Sequence, residues 1–116
     1  MIPSPKSMPH GMQHEEVASM FLVQDGHKIL CRNYKIYDAP FKGEIDIISQ
    51  KNNIVFLNEV KGRTFFANDC ISTKQQERIW HTYQYFLEEN VEYNNISVQM
   101  QLLLVVNGKV NILEII

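Results

Sequence analysis

Cysteine is scarce in this chain: Cys31 and Cys70 stand alone among 116 residues, with no CxxC pair and no His at metal-ligand spacing. That argues against a disulfide framework and a structural zinc site, and leaves two reduced thiols. Long hydrophobic runs are missing too. No stretch of about eighteen consecutive apolar residues occurs, and the opening MIPSPKSMPH carries three prolines and no apolar run of signal-peptide length. The chain is therefore expected to be soluble and cytoplasmic, with no membrane partner. Residues 1–10 are expected to form a flexible N-terminal segment ahead of a single domain over residues 11–116. No internal repeat or low-complexity tract occurs. Nor is there an excess of one charge: eleven Lys and Arg stand against thirteen Asp and Glu, a formal net charge of -2, which excludes a globally basic nucleic-acid coat.

What charge there is lies unevenly. His27 to Arg63 holds seven cations against four acids, and the rest of the chain holds four against nine. The hydrophobic pattern orders the chain. Val17, Ala18, Phe21 and Leu22 make one face of a first helix over Gly11 to Asp25, and Gly26 is placed to stop it. HKILCRNYKI then reads as a strand, YDAPFKG as a Pro-containing turn, EIDIISQ as a second strand, KNN as a turn and IVFLNEVKGR as a third strand. Ser72 or Thr73 can cap a second helix, with Gln75 or Gln76 three residues on as the capping-box partner. Ile79, Trp80, Tyr83, Phe86 and Leu87 keep helical spacing, so these aromatic residues are expected in the core rather than as stacking platforms. After the polar NVEYNN come ISVQMQLLLVV and VNILEII, joined by Asn107 and Gly108, which accept the positive φ of a tight hairpin. The order is αβββαββ, and a strand that returns through a helix makes strands three and four parallel neighbours in a mixed α/β sheet.

Within the apolar strands sit charges that need a reason: Glu44, Asp46, Glu59 and Lys61. Alternation puts Glu59 and Lys61 on one face of strand three, with Val55 and Leu57, and the hairpin places Asp46 across from the end of that strand. Converging carboxylates repel unless a cation lies between them, and hard oxygen ligands suit Mg²⁺, or Mn²⁺ in its place. Phosphodiester hydrolysis uses such a set, with the Lys positioning water or stabilising negative charge. Without chemistry, the same residues would make a salt-bridged sheet edge.

Gly11, Glu15, Ala18, Phe21 and Leu22, then Gly26, ILCRN, GEIDII and EVKGR resemble the YraN family in order and spacing. That family is similar in fold to the restriction-endonuclease-like PD-(D/E)XK superfamily. The resemblance implies a Mg²⁺-dependent endonuclease acting on DNA, with branched DNA suggested through similarity to Holliday-junction resolvases. It implies Asp46 and Glu59 as metal-binding acids, Lys61 as the catalytic Lys, the Val60 carbonyl as a further metal ligand, and Glu15 as a helix acid approaching the metal. Lys74 corresponds to a family Lys near the start of helix two, and Arg32 and Arg63, at strand ends beside the site, are expected phosphate contacts. The family's usual Val is replaced by Asn58, a buried amide that needs partners. The stretches FFANDC and YNNIS also depart from the family pattern. Two further readings compete: a nucleic-acid-binding module of the same fold without turnover, and an interaction protein whose ISVQMQLLLVV strand lies near a sheet edge and pairs with a second copy. A homodimer also suits symmetric cutting of both strands of a junction.

Overall fold

The structure is a computed structural model that describes residues 10–65 and 69–116. The elements run α1 (His10–Gln24), β1 (Lys28–Asp38), β2 (Phe41–Lys51), β3 (Ile54–Arg63), α2 (Thr73–Glu89), a short 3-10 turn (Val91–Tyr93), β4 (Ser97–Val106) and β5 (Lys109–Ile115). This is the αβββαββ order that the periodicity predicts. The five strands form one sheet in the order β1-β2-β3-β4-β5. All neighbours are antiparallel except β3 and β4, which α2 joins as a parallel pair.

Each helix takes one face. Ala18 and Leu22 of α1 pack with Ile47, Leu103 and Val105, whereas Ile79, Tyr83 and Phe86 of α2 pack with Ile45, Ile48, Val55, Leu57, Met100 and Leu102. β4 is therefore covered on both sides, and Met100 to Val106 are all buried. That is why its sequence reads as a continuous apolar run instead of alternating. It also corrects the expectation that this strand is available for pairing: β4 is interior, and β5 and β1 are the edges.

Turn chemistry fixes the boundaries. Gly26, at φ +94°, ends α1 with its N–H donating to Val23 O while His27 N–H donates to Leu22 O at 2.8 Å, a Schellman closure. Asn52 and Asn53, and likewise Asn107 and Gly108, hold the positive φ of two-residue hairpins. The β1–β2 connection is tighter than the YDAPFKG turn expected. Pairing continues through Tyr37↔Lys42 and Asp38↔Phe41, so only Ala39 and Pro40 turn. α2 holds this hairpin tip in place: Tyr85 Oη donates to Asp38 Oδ2 at 2.7 Å, and the Phe41 ring stacks on His81 at 4.1 Å. Gly43 lets the helix approach, since a Cβ there would lie 2.0 Å from Thr82 Oγ1.

Two expectations about aromatic residues hold and one does not. Tyr83 and Phe86 are buried, but Trp80 is 45% exposed, tilted against Tyr83 at the rim of the core. Among the described residues no helix is long and apolar enough to cross a membrane. The N-terminal segment of the sequence reading lies outside the described residues, except that His10 begins α1; part of the FFANDC stretch, residues 66–68, lies outside them too.

Candidate active site

The site begins where two strands part. β2 and β3 pair from Lys51↔Ile54 up to Ile47↔Asn58 and no further. Beyond that point Ile45 and Glu44 remain with β1, while Glu59, Val60 and Lys61 run beside Leu102, Leu103 and Leu104 of β4. The fork exposes backbone groups that a continuous ladder would satisfy. Asp46 meets one of them: its Oδ2 accepts the Val60 N–H at 2.8 Å. An extended residue presents its N–H and C=O to the same side of the strand, so the Val60 carbonyl faces the same gap.

A buried polar network braces the fork at its last pair. Asn58, 1% exposed, donates through Nδ2 to Ile47 O and to Ser49 Oγ, both at 3.0 Å, and its Oδ1 accepts from Gln101 Nε2 at 2.7 Å. Ser49 Oγ in turn lies 2.9 Å from Nδ1 of the buried His27. These are the partners that the amide at this position requires. The network spans β2, β3 and β4 and fixes where the strands stop pairing, one residue before Glu59.

The carboxylates share a poorly hydrated neighbourhood. Burial pushes Asp46 up to about 6, opposed by the Val60 N–H and assisted by the charge of Glu44. Burial also pushes Glu59 up to about 7, reinforced by the charge on Asp46 and opposed by Lys61 and by a hydrogen bond from Gln75. Glu15 on α1 is raised as well, first by burial and then by repulsion from Asp46 and Glu44, against attraction from Arg32 and Lys35. Among the described residues its Oε1 is buried with no hydrogen-bond partner. Asp46, Glu59 and Glu15 are thus each made costlier to ionise by a neighbouring carboxylate, and a bound cation is the direct remedy.

The side-chain geometry limits what that cation can be. Among the described residues no three His, Cys, Asp or Glu side chains converge closely enough to make a metal cage. Two carboxylates and a backbone carbonyl remain, and this sparse oxygen set suits Mg²⁺ or Mn²⁺, which keep waters and take further ligands from a phosphate. The orphaned Glu15 oxygen suits a hydrogen bond to such a water. The residues present therefore fit the ion that the sequence resemblance implies.

The expected cations are placed less uniformly. Lys61 sits beside Glu59. Arg32 reaches the α1 side of the site but is paired with Glu16 at 2.9 Å. Arg63 is held by Asp69 at 3.1 Å and by its neighbour's carbonyl, Gly62 O. Lys74 is exposed at the start of α2, where it lines a shallow depression with Ser72, Gln75 and Arg78. Two contributors escaped the sequence reading. Spacing offers Gln75 or Gln76 as the capping-box partner; the Gln75 N–H does bond Ser72 Oγ, but its side chain turns to Glu59. The other is His14, whose ring fills the space over Gly62: a Cβ on that glycine would lie 1.8 Å from it. The only sequence signal for His14 is its position one residue before Glu15.

Comparison with known proteins identifies the family. A UPF0102 protein of Clostridium novyi is 31% identical over 112 residues, covering 93% of this chain and 81% of that protein. A UPF0102 protein of Wolinella succinogenes is 39% identical over 84 residues, covering 72% and 74%. One from Lachnoclostridium phytofermentans is 36% identical over 84 residues, covering 69% and 68%. The family model described as Uncharacterised protein family UPF0102 matches residues 14–107, from the histidine over Gly62 to the turn after β4. The chain belongs to UPF0102, the YraN family that its GEIDII and EVKGR stretches resemble.

Proposed function

We propose that this protein is a metal-dependent endonuclease that hydrolyses phosphodiester bonds of DNA. The observation that carries the reading is the convergence of two desolvated carboxylates, Asp46 and Glu59, beside Lys61 at a fork in the sheet. Structural salt bridges are seldom built from acids that raise each other's pKa, whereas catalytic and metal sites often are. Asp46, Glu59 and the Val60 carbonyl would hold Mg²⁺ or Mn²⁺, with Glu15 within reach of its water shell. Bound there, the ion supplies Lewis-acid polarisation of the phosphate and a more acidic water.

The chain's own groups account for the rest. Val60 N–H holds one Asp46 oxygen, and the other would be the ligand to the ion. Gln75 orients Glu59 from the first turn of α2. Lys61 places a positive charge where the attacking water and the phosphate would meet, orienting the first and offsetting the charge that builds on the second. A water oxygen bonds to phosphorus, the ester P–O bond breaks, and a proton passes to the leaving alkoxide.

The test is cleavage of labelled duplex, single-stranded and four-way-junction DNA with Mg²⁺ or Mn²⁺. Cutting by the wild type, abolished in Asp46→Ala, Glu59→Ala and Lys61→Ala while circular dichroism stays native, is the expected result. A second reading rests on the small number of converging side-chain ligands: a nucleic-acid-binding module of the same fold without turnover. Salt-dependent DNA binding with no cleavage under any of these conditions would select it and overturn the enzyme reading.

A further inference from the structure

We propose that the groove on the face of the β1–β2 hairpin turned away from α2, bordered by Arg78, holds a single DNA strand leaving the site, with Tyr37 stacking on an unpaired base; the inference rests on the nuclease reading. The groove encloses about 620 Å³ and is lined by Lys35, Ile36, Tyr37, Lys42, Gly43, Glu44 and Arg78. Cross-strand register organises it. Lys35 lies opposite Glu44 and Tyr37 opposite Lys42, so these four side chains share one face of the hairpin, the one turned away from α2, because the alternating Phe41 and Gly43 meet that helix. Glu44 marks the end nearest the site, since its charge acts on Asp46, Glu59 and Glu15. Two residues further along, Lys42 and Tyr37 stand near the hairpin tip.

Three observations separate this groove from an ordinary solvated surface. First, Lys35, Lys42 and Arg78 are exposed and, among the described residues, none makes an ion pair, whereas Arg32 and Arg63 do. Three cations open to phosphates thus line one groove. Second, Tyr37 is 75% exposed, a large ring given to water at the mouth of a cationic channel. Third, the hairpin that carries it is braced by the Tyr85–Asp38 hydrogen bond and the Phe41–His81 stack, so ring and ammonium groups are presented on a held scaffold. A cationic track with an exposed aromatic platform is the recognition chemistry of single strands, whose bases offer free π-faces. In a duplex those faces are already stacked, and Tyr37 would have nothing to engage.

Fluorescence anisotropy in EDTA tests the groove without turnover. The probes are a labelled single-stranded oligonucleotide, the same sequence as a blunt duplex, and a duplex with a single-stranded tail. The wild type should bind the first and third more tightly than the second. Tyr37→Ala should weaken binding to the strand and the tail by about five- to hundredfold with little effect on the duplex, and Tyr37→Phe should restore it. Lys42→Ala and Arg78→Ala should each lower the salt slope on the single strand by about 0.7. Unchanged binding in Tyr37→Ala, or an equal loss on strand and duplex, would overturn the proposal. Failure here leaves metal-dependent cleavage untouched, and failure to cleave leaves this binding difference in place, so the two readings fail separately.

Discussion

Asn58 is the residue whose replacement discriminates most sharply among accounts of the fork. Its side chain is 1% exposed and joins Ile47 O, Ser49 Oγ and Gln101 Nε2. Asn58→Val keeps the volume nearly constant but orphans the buried Gln101 amide, which costs about 1–3 kcal/mol, and removes two bonds worth about 1 kcal/mol each at their net value. With partial relaxation the expected loss is about 2–4 kcal/mol. Gln101→Leu alone leaves Asn58 Oδ1 without its 2.7 Å donor, an expected loss of about 1–3 kcal/mol. Combining them removes both ends of the bond and leaves no orphan between them. Ser49 keeps His27 as a partner. The double variant should therefore be less destabilised than the sum of the single variants by at least about 1 kcal/mol. Urea unfolding followed by far-UV circular dichroism measures all four corners of this cycle. Strictly additive losses would refute the network, and with it the claim that buried amides hold the fork.

Glu59→Gln should stabilise the metal-free protein at alkaline pH. The folded state keeps the Glu59 proton up to about 7 against 4.5 for the free group, so wild-type stability falls as pH rises between those values, by about 3 kcal/mol. The variant's advantage should be full near pH 8 and gone below about pH 4.5, and equal stability at pH 8 would count against a desolvated pair. Mg²⁺ should raise the melting temperature of the wild type and not that of the variant. His27 has the opposite sign: burial lowers its pKa below 6.5, so its contribution is lost as pH falls through that region. His27→Gln should flatten the acid limb of a stability profile below about pH 6.5; an unchanged limb would show that other groups govern it. Gly62→Ala drives a methyl into the His14 ring and should cost about 1–3 kcal/mol, with much of the loss recovered in the double variant carrying His14→Ala. No recovery would place the strain elsewhere.

Local pattern carried a large share of this structure. Strand alternation placed Glu59 and Lys61 with Val55 and Leu57, and the α2-facing cluster contains that pair of apolar residues. Gly26, Asn107 and Gly108 announced their turns because positive φ is a property of the residue itself. What stayed hidden depends on partners distant in sequence. Asn58 looks like an error in an apolar strand until β4 supplies Gln101 and β2 supplies Ser49. Trp80 keeps the spacing of core residues, yet the core beneath it ends before it is covered, and periodicity carries no information about where a sheet ends. Arg32 and Arg63 looked free at strand ends because their partners, Glu16 on α1 and Asp69 after β3, become neighbours only on folding. The capping-box reading of Gln75 competed with a longer-range bond to Glu59, and the longer bond won.

The fork has a consequence for the order in which the protein is made. Glu59, Val60 and Lys61 have no ladder partner on β2; Leu102, Leu103 and Leu104 on β4 give them one. As the chain leaves the ribosome, the β1–β2–β3 meander can form early from local contacts, but its motif-bearing end stays unsupported until β4 has emerged and docked through the α2 crossover. The residues that would do the chemistry are thus translated midway and fixed in place late. A nascent fragment that carries the whole GEID and EVKGR sequence but lacks β4 holds no assembled centre, and a nuclease built this way would stay inert until β4 has been made and docked.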